Sequence, residues 1–157
     1  MMRIVITGPA ASGKDVLRRR FVERGFVYAK PYTTRPVRDG ESSDDYTFVT
    51  ENEFAAMCSF PLFAVSACYN GWMYGITMSD YIGSTVAVLT PEYIEMLDRV
   101  GLMKDCFTIL LMPDENIRRK RLLQRNDADD VERRLLADRK QFERFECYDM
   151  VITNPYF

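Results

Sequence analysis

Histidine is missing from all 157 residues, which removes every triad built on imidazole, every histidine zinc site and every imidazole base. Any chemistry must therefore rest on carboxylates, on lysine and arginine, and on a bound metal. Cysteine is scarce and scattered. Cys58, Cys68, Cys106 and Cys147 show no CxxC spacing, so free buried thiols are expected rather than disulfides or zinc. No apolar run approaches a membrane span, and Met1-Met2-Arg3 leads straight into a strand-like run with no signal peptide, so a cytoplasmic protein with no membrane partner is expected. Charge of one sign is not in excess either. A net charge of -2 gives no electrostatic case for a nucleic-acid partner, and any phosphate ligand must meet a local basic cluster. There is no repeat and no low-complexity tract, and the length suits one domain with a real core.

What is present begins with Gly8-Pro9-Ala10-Ala11-Ser12-Gly13-Lys14-Asp15, between the apolar run Ile4-Val5-Ile6 and a helix-like stretch. Two glycines let the backbone turn so that its N–H groups and a helix N-terminus converge on one anion, while Lys14 adds positive charge for the outer phosphates. The phosphate-loop pattern ends Lys-Ser/Thr, with the hydroxyl serving Mg²⁺. Here Asp15 takes that place, either as a direct Mg²⁺ ligand through its carboxylate or as an acid complementing the helix dipole.

Along the chain, residues 2–7 read as a buried strand and residues 14–24 as a helix with Val16, Leu17, Phe21 and Val22 inward and Gly25 as its stop. Residues 26–29 read as a second strand, followed by a long functional loop over 30–45. Residues 46–49 alternate like a strand, 51–58 form a short helix, and 62–68 form a strand closed by the hairpin signal Asn70-Gly71. Residues 84–89 make the next buried strand, and Thr90-Pro91 caps a helix through Val100. Then come a strand over 107–112, a helix capped by Asp114 that carries Ile117, Leu122 and Leu123, a helix over 131–145 and a last strand over 150–153. This alternation predicts an α/β fold with a parallel sheet and a ligand at the strand C-termini.

The string Tyr32-Thr33-Thr34-Arg35-Pro36-Val37-Arg38-Asp39-Gly40-Glu41, followed by Asp45-Tyr46-Thr47-Phe48, resembles the acceptor-phosphate segment of guanylate kinases. Gly71-Trp72-Met73-Tyr74-Gly75 is similar to that family's Gly-Asn-Tyr-Tyr-Gly turn, and Arg121, Arg125 and Arg134 fall where its lid arginines occur. The resemblance implies a single P-loop kinase domain over residues 1–157, with a core of 1–30 and 84–157, an acceptor lobe of about 31–83 and an arginine lid of about 121–134. It implies ATP as donor, held by residues 8–15 with Asn154 near the adenine, or else with Asn154 only turning the chain before Pro155. It also implies Mg²⁺ near Asp15, a small phosphorylated acceptor held by Arg35, Arg38, Glu41, Tyr46 and Tyr74, and catalysis by Lys14, Arg35, Arg121, Arg125 and Arg134. The residues agree with this: two guanidinium forks three apart on a loop, flanked by tyrosine hydroxyls, can grip one phosphate.

Where the family reads guanine with polar groups, this chain has Pro31, Val65, Ile76 and the Thr90-Pro91 region, so GMP specificity is not implied. The Gly-Lys-Asp ending of the loop and Phe63-Ala64-Val65-Ser66 resemble instead the ribose 1,5-bisphosphate phosphokinases. An inactive guanylate kinase-like binding module is a further reading, which the intact Gly13-Lys14 and the arginines argue against. The expected activity is transfer to a (deoxy)nucleoside monophosphate of unsettled base. The family's closing helix has no counterpart before Phe157, so an uncovered sheet face is expected, patched by Tyr156-Phe157 or by a second copy in a homodimer.

Overall fold

The computed structural model describes residues 2–38, 41–124, 130–154 and 156–157. In chain order, β1 (Arg3–Thr7) leads into α1 (Lys14–Glu23), followed by β2 (Tyr32–Thr33), β3 (Thr47–Phe48), α2 (Glu51–Cys58), β4 (Phe63–Tyr69), β5 (Trp72–Thr77) and α3 (Met78–Gly83). Then come β6 (Val86–Val88), α4 (Pro91–Arg99), β7 (Cys106–Leu111), α5 (Glu115–Gln124), α6 (Val131–Phe142) and β8 (Met150–Ile152). The strands form two sheets. One has the order β6-β1-β7-β8 and is parallel throughout, as the alternation predicts. The other, of order β3-β2-β5-β4, is mixed and lies between α1 and β6 in sequence.

β1 is apolar on both sides because both faces of a parallel sheet are covered. Ile4 and Ile6 join Val86, Ile109 and Leu111 on one face, packed against Leu17 and Phe21 of α1. Val5 joins Ala87, Leu89 and Leu110 on the other, packed against Tyr93, Ile94 and Leu97 of α4. Thr90 caps α4 by accepting from the Tyr93 N–H, with Pro91 at the first helical position. β4 and β5 close through Asn70 and Gly71, with φ of 52° and 81°, as a tight hairpin with right-handed strand twist requires.

Several sequence expectations are corrected. In α1, Leu17 and Phe21 face the sheet, but Val16 is 51% and Val22 41% exposed while Arg18 is buried. The inward stripe is one turn wide, and a charged partner outside the helix claims Arg18. Residues 26–29 make no named strand. They meet β6 through one parallel bridge, Tyr28 to Val86, and a few hydrogen bonds before the chain turns into the second sheet. The loop over 30–45 contains β2, α3 was not anticipated, and α6 ends at Phe142. Leu123 is exposed. All four cysteines are free, but Cys58, Cys68 and Cys147 are exposed and Cys106 is half-buried, so the thiols are not core residues. Phe157 packs on the Ile4/Ile6 face, whereas Tyr156 is exposed. Among the described residues no helix is long and apolar enough to cross a membrane.

Leu97, fully buried at the α4–sheet contact, carries a direct test of this packing. Leu97→Ala is expected to lower unfolding stability by about 3 kcal/mol, read from urea denaturation, because the rigid sheet cannot collapse into the cavity.

Candidate active site

The loop between β1 and α1 turns hard against the end of β7. Gly8 has a φ of +153°, and a Cβ there would lie 2.4 Å from the Leu111 carbonyl oxygen, so no other residue fits. Gly13 and Ala11 also have positive φ, the latter at 58° despite its side chain, a local strain typical of ligand clamps. The methyl groups of Ala10 and Ala11 pack with Leu122 of α5 and Leu135 of α6, which accounts for the alanines in the motif. Lys14 folds its ammonium across the loop, donating to the carbonyls of Gly8 at 2.7 Å and Pro9 at 2.8 Å. Ser12 Oγ is buried with no hydrogen-bond partner among the described residues. Amides at a helix N-terminus, an ammonium and an orphaned hydroxyl form a donor set suited to polyphosphate.

Asp15 opens the first turn of α1. Burial, and next the charge of Asp15, push the Tyr46 hydroxyl up to about 12. An oxygen donor at this point fits a hard cation such as Mg²⁺, which commonly takes one or two carboxylates and completes its shell with phosphates and water. No cluster of three or more acidic or thiol side chains that could cage a metal occurs among the described residues.

The Thr33-Thr34 pair holds the arginine segment to β5. Thr33 Oγ1 donates to the Met73 carbonyl at 2.9 Å, and Thr34 Oγ1 accepts from the Met73 N–H at 2.9 Å. Arg35 follows, largely buried, with its guanidinium 5.4 Å from the Tyr46 ring centroid. Glu41 stands behind it, accepting from Arg35 Nη2 at 2.7 Å and from the Arg38 N–H at 2.9 Å. Burial works to raise the Glu41 carboxyl, but these hydrogen bonds and the charges of Arg35 and Arg38 outweigh it and hold the group below its usual range. Tyr46 and Tyr74 meet edge to face at 6.3 Å. Four of the sequence-selected acceptor residues, Arg35, Glu41, Tyr46 and Tyr74, thus share one surface, with Arg38 at its exposed rim.

The lid residues divide. Arg121 Nη1 donates to the Ala11 carbonyl at 3.0 Å, directly on the loop. Arg134 is half-buried in the first turn of α6, one residue before the Leu135 that packs on the loop. Arg125, and with it Asp39 and Gly40 of the acceptor string, lie outside the described residues. Asn154 is exposed past β8 and its Oδ1 accepts from the Tyr156 N–H at 3.0 Å, a turn-forming contact.

Two residues that sequence reasoning passed over tie the two halves together. Arg18 of α1 donates to Asp45 Oδ1, and both groups are nearly inaccessible. Arg19 adds contacts to both Asp45 oxygens at 3.3 Å, and the Arg18 guanidinium lies 4.5 Å from the Tyr28 ring centroid. Asp45 immediately precedes Tyr46, so the pair joins the helix behind the phosphate loop to the acceptor surface. Its only sequence signal was the Asp-Tyr motif itself. In α5, Arg118 is buried against Asp138 of α6.

Asp45→Ala leaves Arg18 buried and uncompensated, and is expected to cost about 3 kcal/mol in urea unfolding. Desolvation alone would raise the Asp45 carboxyl, but the Ser42 N–H, Arg19 and Arg18 hold it below its ordinary value. The folded state therefore binds this proton less tightly than the unfolded chain. The stabilisation is complete above the unfolded value near about pH 4 and is lost as pH falls through the folded one. The urea midpoint is expected to drop between pH 5 and about pH 3, with a shallower drop in Asp45→Asn.

Comparison with known proteins gives this arrangement its family. The guanylate kinase family model matches residues 1–87, which carry the phosphate loop and the acceptor surface. A guanylate kinase of Wolbachia pipientis wMel is 30% identical over 162 residues, covering 96% of this chain and 81% of that protein. A guanylate kinase of Bacillus subtilis strain 168 is 29% identical over 163 residues, covering 96% and 79%. In fold, the crystal structure of guanylate kinase from Anaplasma phagocytophilum superposes with a TM-score of 0.71 at 22% identity, covering 98% of this chain and 76% of that one. With the family model spanning more than half of the sequence and relatives matched along nearly all of it, the chain belongs to the guanylate kinase family and is a kinase.

Proposed function

We propose that the protein transfers the γ-phosphoryl group of ATP to the phosphate of a (deoxy)nucleoside monophosphate whose base is not read as guanine. One observation carries the reading: the buried Arg18–Asp45 pair ties α1, which begins at the phosphate loop, to the segment that carries Tyr46 and the arginine-bearing surface, so two elements suited to phosphate are held together. An ionised acceptor phosphate is already a nucleophile. The protein therefore needs no general base, only positioning and charge stabilisation, which suits a chain without histidine.

In this mechanism the loop amides and Lys14 hold the β- and γ-phosphates. Asp15 would hold Mg²⁺, which supplies charge neutralisation between donor phosphates when bound. Arg35, Arg38, Tyr46 and Tyr74 grip the acceptor phosphate, with Glu41 fixing the Arg35 fork. Arg121, Arg134 and Arg125 meet the charge on the group in flight, and Asn154 borders the adenine. Closure of α5 and α6 over the loop excludes water.

The relatives' name points to GMP as acceptor, but the packing of β4 and β5 supports a different base pocket. Val65 and Ile76 pair across the strands, each 1% exposed, and both belong to the core cluster with Tyr81, Tyr93 and Ile94. Neither can hydrogen-bond a base, and Thr90 Oγ1 is engaged by the Tyr93 N–H that it caps and lies 3.4 Å from the Tyr69 hydroxyl. A site without such partners leaves guanine N–H donors unpaired. The same lack of polar groups at these positions favours, as a second reading, an acceptor with no base, of the ribose 1,5-bisphosphate class.

A coupled assay over nucleoside and deoxynucleoside monophosphates, with ribose 1,5-bisphosphate in parallel, tests this. GMP is expected to exceed the other nucleotides by no more than about tenfold in kcat/KM, whereas a preference of about 10⁴ would restore a guanine-reading site. Turnover of no acceptor at all would end the kinase assignment for this chain. Lys14→Ala is expected to abolish transfer with the thermal midpoint nearly unchanged; near-normal turnover would show the loop to be structural.

A further inference from the structure

The α5–α6 pair contains a buried ion pair to which the transfer reaction assigns no role. Arg118 Nη1 lies 3.0 Å from Asp138 Oδ2, with side chains 5% and 13% exposed. The same Asp138 oxygen accepts a second hydrogen bond, also at 3.0 Å, from the N–H of Ala10 in the phosphate loop. Arg118 is further flanked by the Glu115 carboxylate at 3.8 Å, and its Nε is buried without a hydrogen-bond partner among the described residues.

Packing alone does not account for these charges. Ala10, which meets Asp138, belongs to an apolar cluster with Ala11, Leu122, Val131 and Leu135, while Glu115 beside Arg118 also meets Arg119 and Arg139; an apolar pair of similar volume in place of Arg118 and Asp138 would avoid the desolvation cost of two ions. An apolar pair could not accept from the Ala10 N–H. Two consecutive residues of the loop are held from the lid helices in complementary ways: Ala10 through its N–H by Asp138, and Ala11 through its carbonyl by Arg121. Helical spacing adds the link to chemistry. Arg121 lies three residues after Arg118 on α5, and Arg134 lies four before Asp138 on α6, so each lid arginine stands one turn from the pair.

We propose that Asp138, with Arg118 as its counter-ion, is a positioning residue of the donor site. It fixes the Ala10–Ala11 edge of the phosphate loop and sets Arg121 and Arg134 over the donor phosphates. Asp138 touches no reacting atom and acts through the loop. Arg118 neutralises it, so that a carboxylate can stand beside a polyphosphate without repelling it. The proposal rests on the donor half of the kinase reading, and the identity of the acceptor does not enter.

The test is calorimetric binding of ATP with Mg²⁺, without acceptor, to the full chain and to Asp138→Ala, Asp138→Asn and Arg118→Met, followed by steady-state kinetics. Asp138→Ala is expected to weaken ATP binding about tenfold or more and to lower kcat, leaving the acceptor KM within about twofold. Asp138→Asn, whose side-chain oxygen still accepts from the Ala10 N–H, is expected to recover most of the ATP affinity. Arg118→Met is expected to weaken ATP more at low salt than at high salt, because the carboxylate is then uncompensated. Unchanged ATP affinity in Asp138→Ala would overturn the proposal, as would equal losses for both substrates. Should Asp138→Ala not fold, a folded Asp138→Asn with wild-type kcat and ATP affinity supports it, and one with tenfold weaker ATP binding refutes it. Failure of the unaltered protein to bind ATP would instead remove the donor reading, and the proposal with it.

Discussion

A backbone turn that aims its N–H groups at an anion cannot use those groups to hold itself in place. The loop at residues 8–13 meets this constraint by borrowing support from β7, from Lys14 and from α5 and α6. β7 closes against Gly8, leaving no room for a side chain. Lys14 ties down the carbonyls of Gly8 and Pro9, Arg121 holds that of Ala11, and Asp138 takes the Ala10 N–H. The Ser12 N–H donates to the Pro9 carbonyl at 3.3 Å, and the other amides are left at the positive end of α1, where the proposed function puts the donor phosphates. The parallel sheet places the loop at the strand C-termini, where side chains from several elements can converge on it.

On either side of this loop lies a buried arginine–aspartate pair. Arg18 and Asp45 join α1 to the segment that carries Tyr46, and Arg118 and Asp138 join α5 and α6 to each other and to the loop. Neither pair is an economical source of stability, since each ion must leave water. Each does what a hydrophobic contact does poorly, because a charge pair with hydrogen bonds tolerates only one register and one orientation. In the proposed transfer between two phosphates, that precision would bear directly on rate.

Much of the fold was legible because the relevant signals are local. Ile4 to Ile6 can only be a strand covered on both faces, Thr90-Pro91 announces α4, and Asn70-Gly71 announces the hairpin. The loop and the acceptor string were legible for the same reason, since their residues lie within a few positions of one another. The burial of Arg118 was not legible, because a run of Arg, Arg, Lys and Arg carries no mark of which member faces a carboxylate twenty residues away. Val16 and Val22 were misread because apolar character does not by itself say which side of a helix will be covered.

The sequence by itself therefore determined the class of fold, the phosphate loop and the family, all of which follow from short-range spacing and residue chemistry. Only the tertiary structure decided which charges are buried and what they hold: Asp45 on Arg18, Glu41 behind Arg35, Asp138 on Ala10. The physical reason is that the cost of burying a charge depends on the partner that meets it, and these partners come from elements far apart in the chain or across a turn. Val65 and Ile76 show the same division. Their apolar character was plain in the chain, but that they face each other inside the core, 1% exposed, depended on the register of β4 against β5.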